Sequence, residues 1–263
     1  MTPLLTSKNI VIYGAGGGIG RGVTATFARE GANLYLTGRR IEPLEALLAS
    51  LEADGYTAEI AVVDARDEQA VAAHAAGVAE RAGSIDVSFN LIGRGDVHGT
   101  ALVELSLTDF MAATTTGLQS QFVTATVAAR QMAIQGSGVI LGLTSGSSTR
   151  QGPMMGGTGA ADAATESFLR SLAAEAGPSG VRVVGLWTAG VPETFGLEDD
   201  PSSTRVATGM TPEQIDRLIA PMTMLGHAPR LQDVADTAAF LASDRAGSIT
   251  GTIVNVTCGM VVG

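Results

Sequence analysis

Seven residues near the start of the chain, Gly14-Ala15-Gly16-Gly17-Gly18-Ile19-Gly20, have the composition of a turn that cradles phosphate. They follow the apolar run Asn9-Ile10-Val11-Ile12-Tyr13 and open a helix-like stretch from Arg21 to Glu30. Strand, glycine turn and helix in that order is the context in which such a turn binds a dinucleotide. Glycine allows the tight bend and the close approach of backbone N–H groups to a pyrophosphate, and the helix N-terminus adds partial positive charge. Gly14, Gly16, Gly18, Ile19 and Gly20 are therefore candidate cofactor contacts. The three histidines, His74, His98 and His227, are dispersed without ligand spacing, so no metal site is expected.

The turn needs a sheet to hold it, and the rest of the chain supplies one. Short β-branched runs (Asn9–Tyr13, Asn33–Thr37, Thr57–Val63, Ile85–Asn90, Gly138–Thr144, Val181–Trp187 and Thr252–Val256) alternate with Ala/Leu-rich segments. Those segments are Gly18–Glu30, Glu42–Asp54, Glu68–Ala82, Ser106–Gln135, Gly159–Ala176 and Leu231–Ser243. Several runs are continuously apolar, as in parallel strands covered on both faces. Repeated β-α-β units with right-handed crossovers build a doubly wound sheet. With no internal repeat and no linker, residues 1–263 are expected to form one α/β Rossmann-type domain around a mostly parallel, seven-stranded sheet. The irregular region Thr188 to Ala228, rich in proline, lies beyond a strand C-terminus, where open α/β sheets bind ligands. It reads as a substrate loop or lid with a short helix from Pro212 to Ile219.

Composition narrows the function. With 45% apolar and 16% charged residues the chain is globular rather than disordered. A formal net charge of −10 lacks the basic footprint of a nucleic-acid binder. The single cysteine, Cys258, leaves no internal disulfide and fits a reducing compartment. The N-terminal segment lacks the features of a signal peptide, and no stretch is long and apolar enough to span a bilayer. A cytoplasmic protein acting on a small molecule, with neither nucleic acid nor membrane as partner, is expected.

Taken in order along the chain, further segments resemble the short-chain dehydrogenase/reductase family. The turn Gly14…Gly18-Ile19-Gly20 is similar to its glycine motif, with Tyr13 in place of the usual threonine. Asp64-Ala65 is similar to its adenine-contacting pair after the third strand. Ile85 through Asn90-Leu91-Ile92-Gly93 resembles its D-x-x-x-N-N-A-G segment, with Leu91 in place of the second asparagine. Asp233-Val234-Ala235 through Ser243-Asp244 and Ile249-Thr250-Gly251 resembles its C-terminal run. The resemblance covers essentially the whole chain. It implies contacts to a nicotinamide cofactor from Asp64, Ala65, Asn90 and Gly93, and from Val191 and Thr194 near the nicotinamide. NAD-preferring proteins end the second strand on a carboxylate that binds the ribose 2′-OH. Here Gly38 stands there, followed by Arg39 and Arg40, which can pair with a 2′-phosphate, so NADP(H) is the expected cofactor.

The resemblance also implies a catalytic serine, tyrosine, lysine and asparagine. The serine falls on Ser145. The tyrosine position falls on Thr158, the lysine position on Asp162 and the asparagine position on Gly117. A positioned general acid contributes roughly 10²–10⁴ in rate, and a threonine hydroxyl is far less acidic than a phenol. Asp162 inverts the local charge, and one unit charge at about 4 Å is worth about 4 kcal/mol at an effective dielectric of about 20. A carboxylate there opposes an oxyanion and favours a cationic electrophile such as an iminium. Three readings follow: an NADPH-dependent reductase of a cationic or activated substrate with Ser145, Thr158 and Asp162 in its site; a non-catalytic cofactor-binding homologue; or a lyase, isomerase or cyclase with Asp162 as general base, paired with an arginine such as Arg150. On the second reading Asp162 is a plain helix residue and Ser145 a turn residue. The resemblance further implies a homotetramer or dimer, built by pairing the helices Ser106–Gln135 and Gly159–Ala176.

Overall fold

The computed structural model describes residues 2–150, 152–195 and 210–262. Seven strands make one sheet: β1 (Asn9–Tyr13), β2 (Asn33–Gly38), β3 (Ala58–Val62), β4 (Val87–Asn90), β5 (Gly138–Ser145), β6 (Val181–Thr188) and β7 (Thr252–Val256). Their order is β3-β2-β1-β4-β5-β6-β7, and every pair is parallel. The expected doubly wound Rossmann-type architecture is the observed one.

The central strands are covered on both faces. Ile10 and Ile12 of β1 face one apolar cluster while Val11 and Tyr13 face the other, as the two-residue period of a strand requires. The first cluster is closed by α1 (Gly18–Arg29), α2 (Ile41–Ala53) and α8 (Leu231–Ala242), through Val23, Phe27, Leu44 and Ala238. The second is closed by α3 (Glu68–Ala82), α5 (Gln119–Gln135) and α6 (Thr158–Ala176), through Val71, Val123 and Leu169. α7 (Pro212–Ile219) packs Ile215 and Ile219 against Ala228 beside the sheet's C-terminal edge.

One expected element divides. Instead of a single helix over Ser106–Gln135, α4 (Leu107–Ala113) runs into a π turn at Thr114–Leu118 before α5 begins. The turn falls on Thr114-Thr115-Thr116-Gly117, a run of weak helix formers, and π turns of this kind gather at functional sites. Ile85 and Asp86 precede β4 rather than starting it. Of the expected lid, 196–209 lies outside the described residues.

The strand order reverses between β1 and β4, and the crevice at such a switch point is where ligands bind. Gly14 follows β1 with φ +79°, and a Cβ there would lie 2.8 Å from the carbonyl carbon of Leu91, which follows β4. Only glycine satisfies both the left-handed backbone and that approach.

Candidate active site

The site assembles at the C-terminal ends of β1, β4, β5 and β6. At β1 the glycine turn leads into α1, whose N-cap Gly17 has no side chain to cap the helix and whose first turn holds no acidic residue. The first-turn N–H groups therefore remain available to an anion. Arg21 braces the turn by donating from Nε to the Gly16 carbonyl at 2.9 Å. Gly18 packs so close to Thr194 that a Cβ would meet the threonine Cβ at 2.8 Å. Gly20 is likewise confined by the Gly14 and Ala15 carbonyls, and Ile19 leans on the apolar cluster. Thr194, itself buried, donates to the Val191 carbonyl at 2.8 Å, which fixes the short helical turn after β6 over the glycine turn. Asn90 is buried at the end of β4; its Nδ2 donates to Thr124 and its Oδ1 accepts from Ile92 N. Gly93 is exposed just beyond it.

Arg39 and Arg40 are exposed at the end of β2, on the same edge. Asp64 is held by Arg66 in a bidentate pair at 3.2 and 3.0 Å, and the bonds from Arg66 keep its carboxyl below the ordinary aspartate range. Ala65 is buried beside it. The cofactor residues read from the sequence thus fall on turns at the C-terminal ends of β1, β2, β3, β4 and β6, with Ala65, Asn90, Val191 and Thr194 buried there. The glycine turn with its uncapped helix N-terminus, and the arginines after β2, have the chemistry that suits a dinucleotide.

The second half of the site is a buried ionic cluster. Ser145 ends β5, and Asp162 lies one turn into α6 on the same face as Thr158, four residues earlier. Asp162 is fully buried. Its Oδ2 accepts from Ser145 N at 3.0 Å and from Ser145 Oγ at 2.5 Å. Its Oδ1 accepts from Arg94 Nη1, and Arg94 Nη2 pairs with Asp96 at 3.2 Å. Burial pushes the Asp162 carboxyl above its ordinary value, while Arg94 and Ser145 pull it back. Burial also works against the Arg94 charge, but the two carboxylates reverse that and hold the guanidinium more firmly protonated than usual.

Arg94 reaches Asp162 because Gly117 has no side chain. A Cβ on Gly117 would stand 2.7 Å from Arg94 Cγ. The residue that the resemblance sets at the asparagine position is thus vacant, and an arginine from the loop after β4 passes through the vacancy. Arg150, expected as the partner of Asp162, is not: it donates to the Met260 carbonyl at 2.6 Å. Nor is Asp162 an unpaired charge or a ready base, since both its oxygens are engaged.

Beside this cluster, Thr158 Oγ1 shares a hydrogen bond with His98 Nε2 at 2.9 Å. One turn beyond Asp162, buried Glu166 accepts from Trp187 Nε1 at 2.7 Å and from Thr144 at 3.3 Å. Arg94, Asp96, His98 and Glu166 were not among the candidates read from the sequence. Their signal is the run Gly93-Arg94-Gly95-Asp96-Val97-His98-Gly99, charge packed between glycines beyond a strand end, and the four-residue spacing of Asp162 and Glu166.

Residues 14–261 match the family described as enoyl-(acyl carrier protein) reductase. The chain belongs to the short-chain dehydrogenase/reductase family. Among its relatives, 7alpha-hydroxysteroid dehydrogenase of Escherichia coli (strain K12) is 28% identical over 98% of this chain and 95% of its own. Oxidoreductase UcpA of the same organism is 30% identical, over 94% of this chain and 92% of its own. Among solved structures, 7alpha-hydroxysteroid dehydrogenase complexed with NADH and 7-oxo glycochenodeoxycholic acid superposes with a TM-score of 0.84 at 27% identity, covering 98% of this chain and 96% of that one. A short-chain type dehydrogenase/reductase from Mycobacterium ulcerans shares the fold with a TM-score of 0.85 at 24% identity, over 97% and 90% of the two chains. Members of the short-chain dehydrogenase/reductase family to which this chain is similar are oxidoreductases. Among the described residues no helix is long and apolar enough to cross a membrane, and no cluster of metal-ligating side chains is present.

Proposed function

We propose that this protein is an NADP(H)-dependent oxidoreductase that reduces a cationic or activated small molecule in an atypical site built on Ser145, Thr158 and Asp162. The observation that carries the reading is the Ser145–Asp162–Arg94 chain of hydrogen bonds, seated beside a glycine turn suited to a dinucleotide. When bound, the cofactor supplies hydride. Gly14, Gly16, Gly18, Ile19 and Gly20 hold its pyrophosphate end, and Arg39 with Arg40 pair with the 2′-phosphate. Asp64, Ala65, Asn90 and Gly93 line the adenine and ribose path, and Val191 and Thr194 close over the nicotinamide end. The region 188–228 serves as the substrate loop. One guanidinium between two carboxylates leaves the Arg94, Asp96 and Asp162 group at a formal charge of −1, which supports a cationic substrate over an oxyanion.

One observation favours the non-catalytic alternative: Thr158 and Asp162 are almost wholly enclosed by protein. The chain has a single tryptophan, Trp187, paired in register with Thr144 next to Ser145. Titration of Trp187 emission with NADPH and with NADH tests the cofactor half of the reading; saturation by NADPH at lower concentration than by NADH is expected, and no response to either would refute it. Assembly is proposed through the outer face of α5 and α6, where the Phe122 and Phe168 rings meet tilted by 50° with centroids 5.5 Å apart along an apolar groove of about 640 Å³.

A further inference from the structure

We infer that Arg66 sets which base the bound dinucleotide carries. It fixes Asp64 so that one lone pair of the carboxylate is left for a purine edge that donates an exocyclic N–H, which adenine has and hypoxanthine lacks. The inference rests on the cofactor reading above and deepens it.

A carboxylate offers about four acceptor sites, and a single residue fills three of those on Asp64. Oδ1 accepts from Arg66 N at 3.0 Å and from Arg66 Nε at 3.2 Å, while Oδ2 accepts from Arg66 Nη2 at 3.0 Å. One site remains, on Oδ2. Solvent reaches it, since the Asp64 side chain keeps 40% of its exposure. The turn that carries both residues is held from below. Asp67 N donates to the Asp64 carbonyl at 3.0 Å, the Asp67 side chain caps α3 through Gln69 N and Ala70 N, and Gln119 of α5 donates to the Arg66 carbonyl at 3.4 Å. Other surface ion pairs among the described residues, Lys8–Asp244, Arg81–Glu59 and Arg130–Glu68, each join through a single hydrogen bond. A single bond leaves a carboxylate free to swing; a fork with a third, backbone donor does not.

The fork lies where a base would. Val63 N donates to the Gly38 carbonyl at 2.9 Å, which ties the start of the Asp64 turn to the end of β2 beside Arg39. On the other side of β2, Gly14 N and Ala15 N donate to the Thr37 carbonyl. Glycine turn, arginines and Asp64 therefore follow one another on the adjacent ends of β1, β2 and β3. With strands about 4.8 Å apart, two steps cover about 10 Å, the length of one nucleoside. A dinucleotide with its pyrophosphate on the glycine turn thus brings the far edge of its base to Asp64. Adenine presents its 6-amino group there; hypoxanthine presents a carbonyl oxygen, which meets a carboxylate oxygen with no hydrogen between them. Arg66 also cancels a negative charge that would otherwise face the cofactor phosphates, and Asp64 in turn keeps the guanidinium more firmly protonated than usual. Arg66 is thus a positioning residue that acts through Asp64.

The test is binding of NADPH and of its hypoxanthine analogue to the full chain, followed by the emission of the dihydronicotinamide that both carry. The two probes have the same phosphates and sugars and differ only at the base. The wild type should bind NADPH about 10- to 100-fold more tightly, the size of one hydrogen bond to a charged group, and in Arg66→Met that ratio should fall below about threefold. Arg66→Lys keeps the charge and loses the fork. It should bind NADPH more tightly than Arg66→Met does and still show the low ratio. Equal affinity of the wild type for the two probes would overturn the inference while leaving the cofactor reading standing. So would an Arg66→Met protein that weakens on both probes alike and keeps the wild-type ratio, or an Arg66→Lys protein with that ratio intact. Binding of neither probe would overturn the cofactor reading and this inference with it.

Discussion

Replacing Arg94 with methionine keeps most of the apolar stem but removes the cation from Asp162. The carboxyl is fully buried, and removing one partner of a buried pair costs about 3–5 kcal/mol. The Arg94 side chain retains 15% of its exposure, and Ser145 still donates twice to Oδ2, so the lower part of that range applies. At about 2–4 °C per kcal/mol for a domain of this size, the unfolding midpoint should fall by about 6–12 °C at neutral pH. The loss depends on pH, and its sign is fixed. Burial already raises the folded-state pKa of Asp162, and without Arg94 it rises further. A carboxyl with a raised folded pKa favours the folded state below its unfolded value of about 4 and loses that advantage as pH climbs through the folded value. The deficit of Arg94→Met relative to wild type should therefore be small near pH 4 and grow to its full size at neutral pH. Adding Asp162→Asn, which removes the charge, should restore more than half of the neutral-pH loss. Circular dichroism melts of the three proteins across this range are the assay. A deficit that is absent, or the same at every pH, would refute the claim that Arg94 neutralises a buried carboxylate.

Three further expectations follow from single contacts. Gly117→Ala should cost about 1–3 kcal/mol by overpacking against Arg94 Cγ, and should be close to neutral in an Arg94→Ala background; a double-mutant melt series reads the difference. Glu166→Leu should cost about 1–3 kcal/mol in denaturant unfolding, by leaving the Trp187 indole N–H without its acceptor, and should shift Trp187 emission; an unchanged spectrum would refute the bond. Arg39→Glu should weaken NADPH binding by about 10- to 100-fold while leaving NADH binding nearly unchanged, as read by fluorescence titration; equal losses for both cofactors would deny Arg39 its role at the 2′-phosphate.

Local pattern carried the fold. All seven strands and the helices that cover them follow from alternating apolar runs and Ala/Leu-rich segments, because those periods are set by burial on two faces of one sheet. The glycine turn was legible for the same reason: its neighbours in space are its neighbours in sequence. The ionic cluster was not. Arg94 and Asp162 are 68 residues apart, and their pairing depends on a side chain that Gly117 lacks, which no spacing rule records. Arg150 was offered as a companion for Asp162, because sequence shows which charges exist but not which of them meet. His98 looked like a dispersed surface histidine until the loop after β4 folded it onto Thr158. The π turn escaped notice because the backbone on both sides of it is helical.

The central claim is that a nucleotide-binding member of this family still moves hydride without the usual proton donor. The most direct test is to mix the protein with protonated dihydroisoquinoline and NADPH deuterated on the nicotinamide ring, and to analyse the amine by mass spectrometry. The account predicts one deuterium on the former imine carbon for each NADPH consumed. An unlabelled product, or bound NADPH that is never consumed, would contradict it.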